Sequence, residues 1–466
     1  MSGRHARLKK EWMLRGWSDL PRALVNWRTG NQRKLTKVGF FVAESCDGQT
    51  DFESLVFGPQ DHATLDLLIA QGIAENCREG DGIEPWQRYR KADNPKLSGI
   101  HWCVTGLCNL NCRHCYMQAP AGRYGQLPFD ALFGFVEQFE RANVTDVSLS
   151  GGEPFIRNDL LQIIALLAHK KIRLYQIFSN GLRITDRHLE EIRNIGFRPV
   201  FRISFDGVGA HEQMRGTAGI QQGVVNAIRR LRTAGFPVVV STSIDTLNIG
   251  SLSDTYELLK TLDIEAWGIA PPQETGNWRG TTTAGSLDQQ AAACAPLLKR
   301  WFKDGQPFSI AIRGLYHGDR APKPGTPPSP RPLRAAPEYS PDDYDCGACR
   351  EKLNLLPDGT LLPCPGYADS PVQNQMPNLL RDDLSKVWKR SILRRLANMK
   401  KKDLLAANPE CAACTLFKIC GLGCRAWALS ATGNLMAKDP VVCELCKKDY
   451  RKHFLEIAAL EPVATL

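Results

Sequence analysis

The middle of the chain alternates short apolar runs rich in β-branched residues with longer segments whose apolar positions recur every three or four residues. The short runs predict strands and the long segments predict helices, and their alternation predicts βα units around a parallel sheet. The predicted strands are 101–105, 146–150, 174–178, 200–205, 238–244 and 265–269. The predicted helices are 129–141, 159–170, 187–195, 220–234 and 252–262. Six βα units predict a partial (β/α)6 barrel of the α/β class.

The first hundred residues carry a different pattern. Basic residues alternate with tryptophan and leucine over 4–37, which predicts one or two amphipathic helices. Residues 38–43 and 52–57 predict strands, and residues 63–73 predict a helix. A strand pair with helices is compatible with a small α+β module of the winged-helix type. A structural cap on the barrel is an equally good interpretation.

Length and composition set the domain organisation. At 466 residues, of which 43% are hydrophobic, the chain predicts two to four domains with a substantial core. We divide it into an N-terminal module (1–98), a barrel (99–319), a proline-rich linker (320–343), a cysteine-rich domain (344–449) and a C-terminal tail (450–466). The linker has prolines every few residues, which predicts an extended segment.

Charge and apolar runs constrain location and partners. The basic N-terminus has no apolar signal segment, and no apolar run approaches the roughly 18 residues of a membrane span, so we expect a cytoplasmic protein. The net charge of +10 predicts either a solvated basic surface or attraction to an acidic partner. No nucleic-acid motif is visible, so nucleic acid is an unlikely partner.

Sixteen cysteines occur in clustered, short spacings that indicate metal sites rather than disulfide bonds. Cys108, Cys112 and Cys115 form a C-x3-C-x2-C stretch in the loop after the first predicted barrel strand. Three thiolates can hold a cubane 4Fe–4S cluster and leave its fourth iron without a protein ligand, whereas electron-carrier clusters use four cysteines. A structural zinc site is the alternative, because thiolates also bind zinc.

Further polar residues follow the next three predicted strands. Gly151-Gly152-Glu153-Pro154 follows the second strand, Ser179-Asn180 the third, and Ser204 and Asp206 the fourth, with Arg215 shortly after. Because ligands bind at the carboxyl ends of parallel strands, these residues are expected to face one site. The cysteine triplet followed by this series resembles the radical S-adenosylmethionine enzymes.

The resemblance implies a role for each of these residues. In the family, the stretch that matches Gly151 to Pro154 holds the methionine amino group of S-adenosyl-L-methionine, and Glu153 is expected to receive that ammonium. The serine and arginine that contact the methionine carboxylate correspond to Ser204 and Arg215, and an arginine fork suits a carboxylate. His114 occupies the position where the family usually places an aromatic ring near the adenine, and a spectator side chain is an equally good interpretation. The implied chemistry is reductive cleavage to a 5′-deoxyadenosyl radical, which removes a hydrogen atom from the substrate.

A second group of cysteines, over 346–446, has a longer spacing pattern. Cysteines at C-x2-C, G-x4-C and C-x2-C-x5-C-x3-C spacing, followed by a last cysteine, resemble the SPASM domain, which holds two auxiliary 4Fe–4S clusters. The resemblance assigns the first cluster to Cys346, Cys349, Cys364 and Cys424, and the second to Cys411, Cys414, Cys420 and Cys443. Cys446 is then left over, and Cys46, Cys77 and Cys103 are expected to be plain thiols. Zinc ribbons are the alternative.

One polar loop follows the last predicted strand of the barrel. Residues 271–280 place polar and aromatic side chains at the open end of the sheet, where they either line the substrate site or simply connect two elements. We favour the plain connection. The residues that would face a substrate are Gln273, Glu274, Asn277, Trp278 and Arg279.

The sequence does not identify the substrate. SPASM relatives modify peptides or proteins, and some related enzymes act on haem precursors. The N-terminal module, the basic charge and the linker favour a peptide maturase that forms a thioether or carbon–carbon cross-link, supplied with electrons by flavodoxin or ferredoxin. A sulfatase-maturating enzyme is less favoured, because Pro365 follows Cys364 where those relatives have an aspartate. Another cofactor-maturing enzyme and a non-enzymatic multi-cluster electron carrier are the remaining alternatives.

Overall fold

The computed structural model describes residues 3–281, 283, 285–321 and 338–460. Within these residues the strands form a ten-stranded sheet, a four-stranded sheet and a three-stranded sheet. No helix in the described ranges is both long and apolar enough to span a bilayer. The predicted linker 320–343 falls mostly on residues 322–337, which lie outside the described residues, as do residues 461–466 of the predicted tail.

The strands and helices are numbered in chain order. The strands are β1 (His5–Leu8), β2 (Trp12–Gly16), β3 (Ala23–Asn26), β4 (Gln32–Lys34), β5 (Asp47–Asp51), β6 (Ala74–Cys77), β7 (Arg90–Lys91), β8 (Gly99–Cys103), β9 (Asp146–Ser150), β10 (Arg173–Ser179), β11 (Val200–Ser204), β12 (Val238–Ser243), β13 (Ala266–Ala270), β14 (Ser309–Ile312), β15 (Tyr316–Gly318), β16 (Lys352–Leu355) and β17 (Leu361–Leu362). The α-helices are α1 (Lys37–Ser45), α2 (Pro59–Ala70), α3 (Phe129–Arg141), α4 (Leu160–His169), α5 (Asp186–Asn194), α6 (His211–Arg215), α7 (Gln221–Thr233), α8 (Leu252–Lys260), α9 (Leu287–Lys303), α10 (Val387–Arg390), α11 (Ile392–Asn398), α12 (Lys401–Ala407), α13 (Pro409–Ala412), α14 (Phe417–Cys420), α15 (Arg425–Thr432), α16 (Pro440–Lys447) and α17 (Tyr450–Leu460).

The large sheet confirms the predicted α/β barrel. The six predicted strands are β8 to β13, which lie side by side in sequence order and pair in parallel. The sheet is larger than predicted, because β14 adds a further parallel strand beyond β13. At the other edge β16, from the cysteine-rich region, pairs in parallel with β8. The cysteine-rich region therefore shares its sheet with the barrel.

The two faces of the barrel strands differ in burial. Alternate side chains point to opposite faces of a strand. In β11, Phe201 and Ile203 are fully buried on the face that packs in the core, whereas Val200, Arg202 and Ser204 on the other face stay partly accessible. The accessible residues line the lumen of the open barrel, and the lumen leads to the carboxyl ends of the strands.

Three element predictions for the N-terminal module were wrong. Residues 4–37 form the strands β1 to β4 rather than amphipathic helices, residues 38–43 lie in α1, and residues 52–57 form turns after β5. The helix predicted over 63–73 overlaps α2 and ends three residues earlier. The segments fold into a small three-stranded sheet (β5-β1-β6) with α1 and α2, and a four-stranded sheet (β4-β3-β2-β7).

The error over 4–37 has a physical reason. The strand pair β2–β3 is buried on both faces, so the polar alternation of a half-exposed strand is missing. Met13 and Val25 pack with the barrel core, while Leu14 and Leu24 pack with the separate core of the module. Arg15, which suggested a polar helix face, is only 3% exposed because its guanidinium donates to backbone carbonyls.

The module attaches to the barrel near the amino ends of its strands. The Asn143 side chain, just before β9, donates to the Gly16 carbonyl, and Arg173 at the start of β10 donates to the Thr29 carbonyl. Gln32 of β4 donates to the Thr145 hydroxyl. The module therefore lies at the end of the sheet opposite the cysteine triplet, which follows the carboxyl end of β8.

Because β16 completes the edge beside β8, we expect the substitution Leu355→Ala to destabilise the protein. Leu355 is fully buried, and truncating a buried leucine lowers the free energy of unfolding by about 2–5 kcal/mol. Thermal unfolding followed by circular dichroism would measure this loss. Lys352→Ala on the same strand, at an exposed position, should change the free energy by less than about 0.5 kcal/mol. Equal effects of the two substitutions would contradict a structural role for β16.

Candidate active site and cysteine clusters

The loop that carries Cys108, Cys112 and Cys115 is held at its entry by the glycine pair after β9. The backbone N–H of Gly152 donates to the Thr105 carbonyl at 2.8 Å, and that of Glu153 donates to the Leu107 carbonyl at 2.9 Å. A Cβ atom at Gly152 would collide with the carbonyl oxygen of Leu107. The glycines are therefore required by a close approach between two backbone segments.

Glu153 joins the ends of β9 and β10. Its Oε1 accepts from the Ser179 hydroxyl at 2.8 Å and from the Phe155 N–H at 3.1 Å, and its Oε2 accepts from the Asn180 N–H at 2.7 Å. Burial raises the pKa of Glu153 to about 7, although these three donors favour the carboxylate and oppose the rise. An ammonium group would have to use the remaining lone-pair position, since three of roughly four are occupied.

Asn180 continues this connection to the cysteine loop. Its side-chain amide donates to Asn109 Oδ1 at 2.9 Å, and Asn109 directly follows Cys108. Its own Oδ1 accepts from the Leu182 N–H at 3.0 Å and holds the turn after β10. The predicted site residues after β9 and β10 thus meet the cysteine loop at one edge of the sheet.

A buried ion pair lies at the next strand end. Asp206, after β11, is completely buried, and its Oδ2 is 2.6 Å from Arg215 Nε. The same oxygen is 3.9 Å from His114 Nε2. Arg215 Nη1 also donates toward Cys112 Sγ at 3.6 Å. Asp206 therefore positions Arg215, which was predicted to contact a methionine carboxylate. The guanidinium of Arg215 has further N–H groups that do not take part in the pairing with Asp206.

The two histidines beside this pair are neutral at pH 7. Burial lowers the pKa of His114 to about 4, with Arg215 adding to the effect and Asp206 opposing it. Burial and Arg215 lower the pKa of His211 to about 4 as well, and its Nδ1 accepts from the Asp206 N–H. Burial acts to raise the pKa of Asp206, but Arg215, His114 and His211 together hold it below its ordinary value.

The three cysteines of the triplet lie close to one another. Burial raises the pKa of Cys108 to about 12, and Cys112 and Cys115 are close enough to add to that shift. Burial also raises the pKa of Cys112, against the opposing charge of Arg215. A cubane cluster would bind three such thiolates at three separate irons.

The loop 271–280 does more than connect two elements. The Asn277 N–H donates to the Cys115 carbonyl at 3.0 Å, and its side-chain amide donates to the Cys112 carbonyl at 3.2 Å. A Cβ atom at Gly276 would collide with the Cys115 carbonyl oxygen, and Trp278 is 1% exposed. The loop therefore packs directly on the cysteine triplet and fixes its backbone.

The same loop contacts the cysteine-rich region. Ser430 donates to the Glu274 carbonyl at 2.9 Å, and Arg279 pairs with Asp369. Arg123, shortly after the cysteine triplet, forms a second ion pair with Asp369 at 2.7 Å. These contacts join the candidate active site to the cysteine-rich region.

The structure brings together the four cysteines assigned to the first auxiliary cluster. Burial raises the pKa of Cys364 to about 12, and Cys424 and Cys346 are near enough to raise it further. Burial also raises the pKa of Cys349, with Cys364 and Cys346 as its charged neighbours. These four cysteines thus come together from three places in the sequence.

A pocket in the cysteine-rich region is lined by five cysteines, one more than the four assigned to the second auxiliary cluster. Asp439 lies at its rim and caps α16, which carries two of the five, by accepting from the Val441 N–H at 2.9 Å. Its other oxygen accepts from the Cys424 N–H at 2.9 Å, so it connects the two groups of cysteines. Because both cysteines of α16 line the pocket, the choice of Cys443 as the last ligand stays a prediction. The five are Cys411, Cys414, Cys420, Cys443 and Cys446.

A buried group of charges supports the first set. Asp345, directly before Cys346, pairs with Lys401 Nζ at 2.7 Å and lies 3.5 Å from Arg425 Nε. All three side chains are at most 4% exposed. Removing one of these three side chains would leave a buried charge without its partner. The group therefore fixes the segments that carry Asp345, Lys401 and Arg425 to one another.

Sequence reasoning missed most of these supporting residues. Asn109, Asp345 and Asp439 could have been found, because the first lies between two cysteines, the second directly precedes a cysteine, and the third has the Asp-Pro pattern of a helix N-terminus. Asn277 was named as a polar residue of the loop 271–280 but not as a support of the cysteine triplet, and Lys401 gave no local signal. Their partners are distant in the sequence.

Comparison with known proteins supports the resemblance. Residues 102–261 match the radical SAM superfamily, and residues 346–415 match SPASM, an iron–sulfur cluster-binding domain. The AdoMet-dependent heme synthase of Nitratidesulfovibrio vulgaris is 26% identical over 75% of this chain and 92% of its own length. The PqqA peptide cyclase of Gluconobacter oxydans is 25% identical over 78% of this chain and 95% of its own length. Among solved structures, Streptococcus suis SuiB bound to its precursor peptide SuiA covers 94% of this chain and 100% of its own, with a TM-score of 0.65 at 15% identity.

We expect Gly152→Ala to displace the entry of the cysteine loop, because its methyl group would overlap the Leu107 carbonyl. The purified variant should then lose the iron held by the triplet, about four atoms per chain, while iron held elsewhere is retained. Iron analysis after anaerobic reconstitution measures the loss. Gly134→Ala in α3, where an added Cβ meets nothing within 4 Å, is the matched control and should keep full iron content. Normal iron in Gly152→Ala would show that the loop tolerates the overlap.

The two cysteines of α16 can be distinguished by single substitutions. We expect Cys443→Ser to remove or convert the second auxiliary cluster, with a loss of up to about four irons per chain, and Cys446→Ser to leave the iron content unchanged. Mössbauer and electron paramagnetic resonance spectra of the as-isolated proteins provide the readout. The reverse result would assign Cys446 as the ligand.

Proposed function

Because this chain is a radical S-adenosylmethionine enzyme with a C-terminal SPASM domain, we propose that it is a peptide maturase. In this proposal it forms a thioether or carbon–carbon cross-link in a ribosomally made peptide. S-adenosylmethionine and iron–sulfur clusters are implied by the two domains, and we propose three 4Fe–4S clusters. When bound, these cofactors supply a 5′-deoxyadenosyl radical that takes a hydrogen atom from the substrate.

The arrangement of residues around the triplet supports the cofactor assignment. Cys108, Cys112 and Cys115 would hold the first cluster. The backbone and carboxylate around Glu153 would receive the methionine amine, while Ser204 and Arg215 would receive its carboxylate. The neutral ring of His114 would lie near the adenine. The two auxiliary clusters would use the remaining assigned cysteines, and their electrons would be exchanged with a reducing protein such as flavodoxin or ferredoxin.

The N-terminal module is the observation that carries the peptide assignment. It has a hydrophobic core of its own, separate from the barrel core. Between its helices it exposes apolar side chains, with Leu55 fully exposed, Val56 72% exposed and Phe41 39% exposed and stacked on Phe57. Clustered apolar groups at a surface favour a binding site. The likeness to SuiB, solved with a precursor peptide, also extends over this part of the chain. We propose that the patch binds a leader peptide.

A haem precursor is the second candidate substrate. The observation that favours it is the group of relatives named AdoMet-dependent heme synthase, which match three quarters of this chain. A sulfatase substrate is disfavoured by Pro365, because the position after Cys364 has no carboxylate to act as a base. A cross-linked peptide, a modified haem precursor and a modified sulfatase differ in mass, so mass spectrometry distinguishes the three candidate substrates.

The first experiment is anaerobic turnover of the reconstituted, dithionite-reduced protein with S-adenosylmethionine and short peptides encoded beside its gene. We expect 5′-deoxyadenosine and a peptide that has lost two hydrogens for each cross-link. A change in the mass of an added iron porphyrin would instead support the haem candidate. Cys108→Ala is the matched control, and it should form neither product. No 5′-deoxyadenosine from iron-loaded protein, with either substrate class present, would favour the electron-carrier alternative.

Binding of the leader can be tested separately from catalysis. We expect Leu55→Asp and Val56→Asp to raise the KM for a full-length precursor at least about tenfold, because a charge is placed in an apolar contact. Neither variant should change kcat or the cleavage of S-adenosylmethionine. Gln60→Asp, which adds the same charge at an exposed polar position of this module, should leave KM unchanged. An unchanged KM in all three variants would show that this patch of the N-terminal module does not bind the substrate.

A further inference from the structure

The lumen of the barrel contains a positive side chain that no site described above uses. Arg202 lies in the middle of β11, between the fully buried Phe201 and Ile203, and its side chain points to the partly accessible lumen face. Ser204, on the same face two residues later, belongs to the candidate site. Arg202 is thus below that site on the same strand.

The guanidinium is directed toward the candidate site. Arg202 pairs in register with Val239 of β12, but its Nη1 donates to the hydroxyl of Ser241 at 3.2 Å. Ser241 is the register partner of Ser204. The side chain therefore reaches two positions toward the carboxyl ends of the strands, about 7 Å along the sheet.

Arg202 has no carboxylate partner among residues 3–281, 283, 285–321 and 338–460. Its one hydrogen bond there is to Ser241, and its Cζ lies 5.5 Å from the centre of the Phe178 ring. The carboxylates at the strand ends are already engaged, since Asp206 pairs with Arg215 and Asp146 pairs with Arg173. Burial lowers the pKa of Arg202, and the nearby Tyr175 opposes this shift.

The described side chains that contact Arg202 include no carboxylate. His101 stacks edge-on against Phe178 with ring centres 4.9 Å apart, and burial, with Arg202 and Lys352 adding, lowers its pKa to about 4. At Gly268 on β13, an added Cβ would have its nearest contacts with Arg202 Nη1 and the Val240 carbonyl oxygen, both at 3.8 Å. A side chain at Gly268 would therefore pack against the guanidinium, and glycine leaves that face uncovered.

From this geometry we propose that Arg202 binds a carboxylate group of the substrate and so determines which substrates enter the barrel. An arginine fork binds a carboxylate through two parallel hydrogen bonds, which fixes the orientation of the bound group as well as its position. The inference rests on the proposed radical site at the same end of the barrel. An acidic peptide side chain, a peptide C-terminus and a propionate group of a tetrapyrrole all supply this chemistry.

Chemical protection tests the contact without turnover. Phenylglyoxal modifies accessible arginines, and peptide mapping by mass spectrometry gives the rate at each position. We expect glutarate to slow modification of Arg202 at least about fivefold, whereas the uncharged glutaramide has no effect. Because S-adenosylmethionine carries a carboxylate of its own, the rates are compared with and without it. Protection by S-adenosylmethionine alone, with no further effect of glutarate, would overturn the proposal.

Substitutions test selectivity in the reconstituted full-length protein. Hydrogen bonds to a charged group are worth roughly 1.5–3 kcal/mol, so Arg202→Gln should weaken binding of a glutamate-containing hexapeptide or of coproporphyrin about 10- to 100-fold. Binding of the glutamine-containing hexapeptide should not change, and Arg202→Lys should restore part of the affinity. Arg198→Gln, an exposed arginine outside the lumen whose side chain donates to the Gly235 carbonyl, is the matched control and should behave as the wild type.

The outcomes separate this inference from the proposed function. If only the porphyrin depends on Arg202, the carboxylate site stands and the peptide assignment fails. If only the acidic peptide depends on it, both stand. Equal affinities of wild type and Arg202→Gln for every carboxylate probe would overturn the inference and leave the radical chemistry untouched, because 5′-deoxyadenosine formation is measured independently.

Discussion

The candidate site depends on one close approach between two backbone segments. Gly152 and Glu153 after β9 donate two backbone hydrogen bonds to the carbonyls of Thr105 and Leu107 after β8, at a separation that no side chain at position 152 would permit. Through this contact the parallel sheet fixes the first residue of the cysteine loop. Glu153 and Asn180 extend the contact to the next strand, and Asn277 secures the far end of the loop. The cysteine loop is therefore held at both ends by hydrogen bonds to other parts of the barrel domain.

The sequence predicted the barrel and the cysteine groups well, because both are encoded locally. Periodicity marks each βα unit, and the spacing of Cys108, Cys112 and Cys115 is a property of one loop. The N-terminal sheets were mispredicted because tertiary burial overrode local pattern. Arg15 looks like part of a polar helix face but satisfies its charge on backbone carbonyls inside a sheet. Residues 38–43 look like a strand, yet Thr36 caps a helix there.

Sequence pattern named several of the site residues but not how they act on one another. Asp206, Arg215 and His114 come from three elements, and the properties of each arise from the others. The pairing of Arg215 with Asp206 limits how much of its guanidinium remains for a ligand. The loop 271–280, interpreted as a connection, contacts both the cysteine triplet and the cysteine-rich region. These roles depend on contacts between residues that are distant in the sequence. The spacing of residues along the chain does not reveal such contacts.

The pairing of β16 with β8 has a consequence for biosynthesis. Ser98 and Glu351, at the start of this pairing, are 253 residues apart in the chain. At about 5–20 residues per second, the ribosome needs roughly 13–50 s to supply the second strand after the first. During that time the strand that leads into the cysteine triplet has an open edge, and the loop 271–280 has no contact with the cysteine-rich region. We expect the contacts of the loop 271–280 with the cysteine-rich region to form only after Asp369 and Ser430 have been synthesised, so the cysteine triplet gains this support after the strands β8 to β13 are complete.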